Sequence, residues 1–357
     1  MRELHCYDAG CCATPSRRAF LGTTTALGAV LALPRFARGA AGDALDPPPR
    51  RIDVHHHFFP PAWLEHMQER PPGPSPVMRE WTTARVLEHM DKSGVATAIA
   101  SLSPWGVAFA EAAQLPKLTR VCNDYAAQMI RDHPGRFGLF AAMPLPDIDA
   151  SLKEIAYALD TLKADGIGLM TSYGDKWPGD PVFAPVFEEL DRRQAVVYFH
   201  PTTAACCGNL IPGLNPAPLE WPFDTARAVA SLLFNGSLVR FPKIRFIFSH
   251  AGGALPALSG RITNMSKTNK DLSNFAPQGI PAEFAKLHFD TANAFFAPSM
   301  AALMELVPMS QILFGSDYPY FTLEENVAGL GEIRLNAAER QAINRGNAAR
   351  LMPQYQG

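Results

Sequence analysis

The chain has 357 residues, 47% of them apolar and 18% charged, with a formal net charge of −2. That balance excludes an intrinsically disordered chain, and without a basic run beyond the N-terminus it gives no electrostatic case for nucleic acid as a partner. The length suits a single α/β barrel as readily as two ordinary domains.

The first recognisable segment is a leader. "SRRAFLG" (16–22) is followed by the modestly apolar "TTTALGAVLALP" and then by "RFARGAAGDA". Paired arginines, a short apolar stretch and a small-residue exit are the pattern of a twin-arginine export signal. Arg17 and Arg18 form the pair, residues 1–41 form the signal, and cleavage is expected near Gly39 or Ala41. The apolar run falls short of the ~20 residues that span a bilayer, so no stable membrane span is expected. This reading implies the twin-arginine machinery as a partner and a periplasmic location. Residues 42–50, ending in "LDPPPR", are a proline-rich joint, and residues 51–357 are read as one domain. Three cysteines lie in the leader; Cys122 and the adjacent Cys206 and Cys207 remain, an odd number that indicates no disulfide framework. The adjacent pair is read as packing.

From residue 51 onward, short β-branched or aromatic runs alternate with longer amphipathic segments. The runs are "RIDVHHH" (51–57), "ATAIASL" (96–102), "RFGLFAAM" (136–143), "GIGLM" (166–170), "AVVYFHP" (195–201), "IRFIFSHA" (244–251), "AKLHFDTA" (285–292) and "ILFGSDYP" (312–319). Helical patterns fall between them, for example at 84–94, 149–166 and 183–194, and a last helix at 337–352 packs outside. Eight strands with helical crossovers predict a (β/α)8 TIM barrel with a C-terminal helix. A doubly wound open sheet is the alternative, but no glycine-rich dinucleotide fingerprint follows the first strand.

Strand alternation points His55 and His57 to one side and His56 to the other, about 7 Å separating the first two along the strand. Barrel active sites sit at the C-terminal strand ends. His55 and His57 end strand one, His200 strand five, His250 strand six and Asp317 strand eight. Four histidines and a carboxylate converging on one mouth predict a metal site. His56 is given a structural role, and His66, His89, His133 and His288 are read as surface or core histidines. Asp290, near the end of strand seven, either supports a ligand or tethers backbone.

The segments "IDVHHHFFPP", "GIGLMTSYGDKWPGDPVFAPVFEELDRRQAVVYFHP", "IRFIFSHAGGALPALSGRI", "ILFGSDYPY" and "GNAARL" resemble the amidohydrolase superfamily. More narrowly they resemble its aminocarboxymuconate-semialdehyde decarboxylase-like branch, and within it the 6-methylsalicylate decarboxylase-like members. The resemblance implies His55, His57, His200 and Asp317 as metal ligands and His250 as a catalytic residue beside them. It also implies a single divalent metal, because strand four ("GIGLM") offers no bridging lysine. Zinc suits three imidazoles and one carboxylate, and manganese is the alternative. Arg261, in "SGRI", resembles a branch arginine that reaches a neighbouring subunit's site, which implies a homodimer; its other reading is a helix-surface salt bridge.

Phe58, Phe59, Trp105, Tyr173, Trp177, Phe295, Phe296, Tyr318 and Tyr320 crowd the predicted mouth. Together they suggest a pocket for a flat, partly apolar ligand such as a small aromatic acid, with Phe59, Trp105, Trp177 and Arg261 as its contacts. The expected reaction is non-oxidative decarboxylation of an ortho-hydroxybenzoate, with His250 and Asp317 as the groups that deliver the proton. Hydrolysis of an ester, lactone or amide by the same ligand set is the competing reading, and a non-enzymatic binding protein is the third.

Overall fold

The structure is a computed structural model; it describes residues 50–69, 73–102, 106–268 and 271–356. The leader and Trp105 therefore lie outside the described residues. Eight strands run in sequence order as parallel neighbours: β1 Arg51–His57, β2 Val95–Ser101, β3 Phe137–Ala142, β4 Gly166–Met170, β5 Val196–His200, β6 Arg245–Phe248, β7 His288–Asp290 and β8 Ile312–Leu313. Helices lie between them, as the sequence predicts for a (β/α)8 barrel.

Two buried clusters explain why the sheet closes. Ile52, Val54, Ile99, Phe140, Val196, Tyr198, Ile247 and Leu313 fill the barrel interior, and Ala348, Leu351 and Met352 of the C-terminal helical run plug its floor. The outer faces of the strands bury a larger set, including Ala98, Leu139, Ile167, Val197, Phe248 and Phe289, against the helix layer. At roughly 1.5–3 kcal/mol for each large apolar side chain buried, closure is driven mainly by these layers.

The seam between β1 and β8 differs from the other junctions. It has no regular ladder; an isolated parallel bridge joins His56 to Tyr318. Single backbone bonds run from Val54 N to Phe314 O, from Asp317 N to His55 O and from His57 N to Tyr318 O. The predicted eighth strand (312–319) accordingly survives as a ladder only over Ile312–Leu313. Asp317 is in the left-handed region (φ 60°), which takes the chain out of strand geometry. The sixth strand likewise ends at Phe248, before His250 (φ 55°) and Ala251 (φ 54°).

Strand β1 carries a bulge. Asp53 pairs with Ala98 and His56 with Ala100, so two residues of β1 oppose one of β2. Ile52 and Val54 face the interior, and uninterrupted alternation would turn His55 outward. The extra residue resets the phase, so that Val54 and His55 both face inward and His56 alone faces out.

Candidate metal centre and active site

His55 and His57 leave β1 fully buried, and their Nε2 atoms lie 3.1 Å apart. Asp317 Oδ1 is 3.2 Å from His55 Nε2 and 3.0 Å from His57 Nε2. His200, at the end of β5, packs its ring edge-on against both, with centroids 5.1 Å and 4.9 Å away. His250 Nε2 stands 3.2 Å from Asp317 Oδ2. One donor atom from each of His55, His200, His250 and Asp317 falls within 4.8 Å of the others. The structure thus brings together all five residues that the strand-end rule selected.

The other ring nitrogen shows what the cluster is for. His55 Nδ1 meets Asp290 Oδ2 at 2.9 Å, His57 Nδ1 meets the Ser101 carbonyl at 3.2 Å, and His200 Nδ1 meets the Pro201 carbonyl at 2.8 Å. Each oxygen can only accept, so each Nδ1 carries a hydrogen and Nε2 is the inward-facing nitrogen that a cation can take. Three Nε2 atoms and a carboxylate share one buried volume.

Such a group needs a cation, since a buried, uncompensated carboxylate costs several kcal/mol. Burial would lower His55, but Asp290 and Asp317 outweigh it and push the imidazole up to about 10. Burial holds His57 down at about 4, and burial together with His57 and His55 holds His200 well below its ordinary value. Burial pushes the Asp317 carboxyl up, but His55, His250 and His57 prevail and keep it well below the usual range. A proton on His55 supplies one positive charge; a divalent cation among the Nε2 atoms supplies two and displaces that proton. The donor set fits a divalent metal.

Asp290, left between two roles by sequence, fills both. Oδ2 orients His55, while Oδ1 accepts the backbone N–H of His250 at 2.9 Å and of Ala292 at 3.0 Å. His56 turns away from the cluster, bonding Asp53 Oδ2 through Nδ1 at 3.0 Å and stacking on Tyr318.

The aromatic residues separate into groups. Phe59 is buried against Trp63, Trp81 and Tyr320, so it builds the wall behind the mouth. Tyr320 places its ring 5.7 Å from His57. Trp177 donates its indole N–H to the buried Asp224 at 2.7 Å, alongside Thr171 and Ser172. Trp221, which composition did not single out, packs edge-to-face with His200, ring centroids 5.9 Å apart. Beside His200 a narrow recess of about 10 Å³, room for no more than about one water, is lined by Leu102, Val107, Met143, Met170, Tyr173 and Tyr198. A cleft of about 440 Å³ lies instead among Arg50, Arg136 and Tyr355, at the other end of the barrel and away from the imidazoles. Chemistry, not volume, locates the site. Arg261 is exposed on the helix Leu255–Ser266 and forms no ion pair with a described residue.

A family model described as amidohydrolase matches residues 52–353. The chain belongs to the amidohydrolase family. Decarboxylase yanB of Aspergillus niger is 36% identical to this amidohydrolase over 86% of the chain and 88% of its own length. The 6-methylsalicylic acid decarboxylase of Penicillium expansum is 33% identical over 86% of the chain and 97% of its own. Among solved structures, a 2,6-dihydroxybenzoate decarboxylase complexed with 2,6-dihydroxybenzoate shares the fold with a TM-score of 0.77 at 23% identity. That match covers 85% of this chain and 99% of the other. A dihydroxybenzoic acid decarboxylase from Polaromonas with bound manganese has a TM-score of 0.73 at 20% identity, covering 86% and 98%. Among the described residues of this amidohydrolase, no helix is long and apolar enough to cross a membrane.

Proposed function

We propose that this amidohydrolase is a metal-dependent, non-oxidative decarboxylase of an ortho-hydroxybenzoate, with a 6-methylsalicylate-like acid as substrate. The observation that carries the reading is the set of inward-facing Nε2 atoms and the Asp317 carboxylate at the mouth, in a chain whose curated relatives are decarboxylases.

His55, His57, His200 and Asp317 would hold one divalent ion. Zinc suits three imidazoles and a carboxylate; manganese, present in the Polaromonas neighbour, is the alternative that metal analysis separates. Bound there, the ion supplies Lewis-acid stabilisation of charge on the substrate's carboxylate and hydroxyl oxygens. His250 is set apart from the ligands by its place: its side chain is 15% exposed, while those of His55 and His57 are 0% exposed. An imidazole at the rim can exchange a proton with solvent and pass it inward. In the reaction the bond from ring to carboxylate breaks, its electron pair stays on the ring carbon, and carbon dioxide leaves. The ring carbon then takes a proton from His250, which Asp317 Oδ2 orients at 3.2 Å, or through Asp317 itself. Arg261, exposed and without an ion-pair partner among the described residues, is proposed to grip a substrate carboxylate in the neighbouring subunit of a homodimer.

Residues 1–41 are proposed as a twin-arginine signal that delivers the enzyme to the periplasm, with residues 51–357 as the single catalytic domain.

The test is a panel of hydroxybenzoates turned over in deuterated water. Deuterium on the ring carbon that lost its carboxylate is the expected result. Activity confined to esters, lactones or amides would replace this reading with a hydrolase, and tight aromatic-acid binding without turnover would replace it with a binding protein.

A further inference from the structure

Three of the four proposed metal ligands come from the first and last strands of the sheet, and those strands meet at a junction without a regular ladder. His55 and His57 lie on β1, Asp317 follows β8, and only scattered backbone bonds join the two. Into this seam Asp53 turns a fully buried carboxylate. Oδ1 accepts the backbone N–H of His55 at 3.1 Å and that of Ser316 at 3.0 Å. Oδ2 accepts the Ser316 hydroxyl at 2.6 Å and His56 Nδ1 at 3.0 Å. Two donors come from the β1 side and two from the β8 side. A carboxylate has about four acceptor positions, and all of them are used, two within β1 and two across the seam.

The consequences reach the ligands directly. Ser316 precedes Asp317, whose left-handed backbone (φ 60°) is a conformation that persists only when its surroundings hold it. The Ser316 hydroxyl also accepts the N–H of Tyr318 at 3.1 Å, and the Tyr318 ring stacks on His56 with centroids 4.9 Å apart. Asp317 is therefore gripped on both sides through Asp53 and His56. On β1 the same carboxylate fixes the amide of His55 beside the bulge that turns this histidine inward.

We propose that Asp53 is a positioning residue for the metal centre: it latches the His55/His57 arm to the Asp317 arm, with His56 as the outer half of the latch. This rests on the metal reading above. Ligands must hold to within ~0.5 Å of productive geometry, and a seam without a ladder cannot supply that alone. The middle histidine of "HHH" then has a task of its own, as donor to Asp53 and stacking partner of Tyr318.

The experiment measures divalent-metal dissociation constants by chelator competition, together with melting temperatures of the metal-free proteins. The variants are Asp53→Asn, Ser316→Ala and, as a distant control, Asn123→Ala, which removes buried bonds to Ala142 and Glu154. Asp53→Asn is expected to weaken metal binding about 10–100-fold. Ser316→Ala, which keeps the backbone contact, is expected to lose less and serves if Asp53→Asn does not fold. Asn123→Ala is expected to lower the melting temperature while leaving metal affinity within about twofold. Metal-binding wild type with Asp53→Asn, or Ser316→Ala in its place, at unchanged affinity would overturn the latch alone. Wild type that takes up no divalent metal would overturn the metal reading and the latch with it.

Discussion

Asp290 holds two site histidines at once: Oδ2 takes His55 Nδ1 at 2.9 Å, and Oδ1 takes the backbone amide of His250, also at 2.9 Å. Its removal should therefore disturb the ligand set and the rim imidazole together. Asp290→Ala is expected to weaken metal binding about 10–100-fold, or ~1.4–2.7 kcal/mol, and to lower turnover further in metal-saturated protein. Chelator competition and steady-state kinetics at saturating metal separate the two effects. Wild-type values in both would remove Asp290 from this role.

His250→Asn should leave metal content intact while turnover falls by roughly 10²-fold or more, the usual contribution of a positioned proton donor. His57→Ala should instead lose most of the metal. If His250→Asn also emptied the site, His250 would be a ligand and the assignment of proton handling would move to Asp317.

Export is open to a direct check. Replacing Arg17 and Arg18 by lysine should strand the protein in the cytoplasm, whereas the unaltered chain should be recovered from the periplasmic fraction. Equal recovery of both would remove the signal assignment.

His288 gives a pH dependence away from the ligands. Burial is the main cause that lowers its imidazole to about 4, against an ordinary value of 6.5; its Nδ1 meets the Phe246 carbonyl at 3.2 Å. Between about pH 4 and 6.5 the unfolded chain binds the proton and the folded chain does not, so stability rises with pH across that window. The contribution is complete above 6.5 and is lost as pH falls through 4. His288→Asn should flatten the melting-temperature profile over that interval. A slope equal to wild type would show that this histidine is not part of the acid response.

The site's first layer was legible in the sequence because it obeys a rule of place: residues at C-terminal strand ends face one mouth. His55, His57, His200, His250 and Asp317 all follow it. The supports around them were not legible. Asp53 reads as an ordinary strand residue, since its function depends on a bulge and a missing ladder that have no local sequence signature. Ser101 acts through a main-chain carbonyl, which every residue has. Aromatic content gave no positions: Phe59 packs in the wall and Trp177 bonds Asp224, while Trp221, on a helix after the strand, packs its ring against His200. Strand lengths were overestimated at β6, β7 and β8, where the ladders stop short of left-handed residues: His250 after β6, Asn293 after β7 and Asp317 after β8.

His57 and Asp317 are separated by 260 positions in the chain, yet their side chains meet at 3.0 Å. A nascent chain that has not released its last strand holds only part of the ligand set, however well its earlier βα units have formed. Metal capture is thus a late event that reports completion of the whole barrel. Because the ion would tie together the first and last strands, losing it loosens the ring at its point of closure, so release of metal and opening of the barrel should be parts of a single transition.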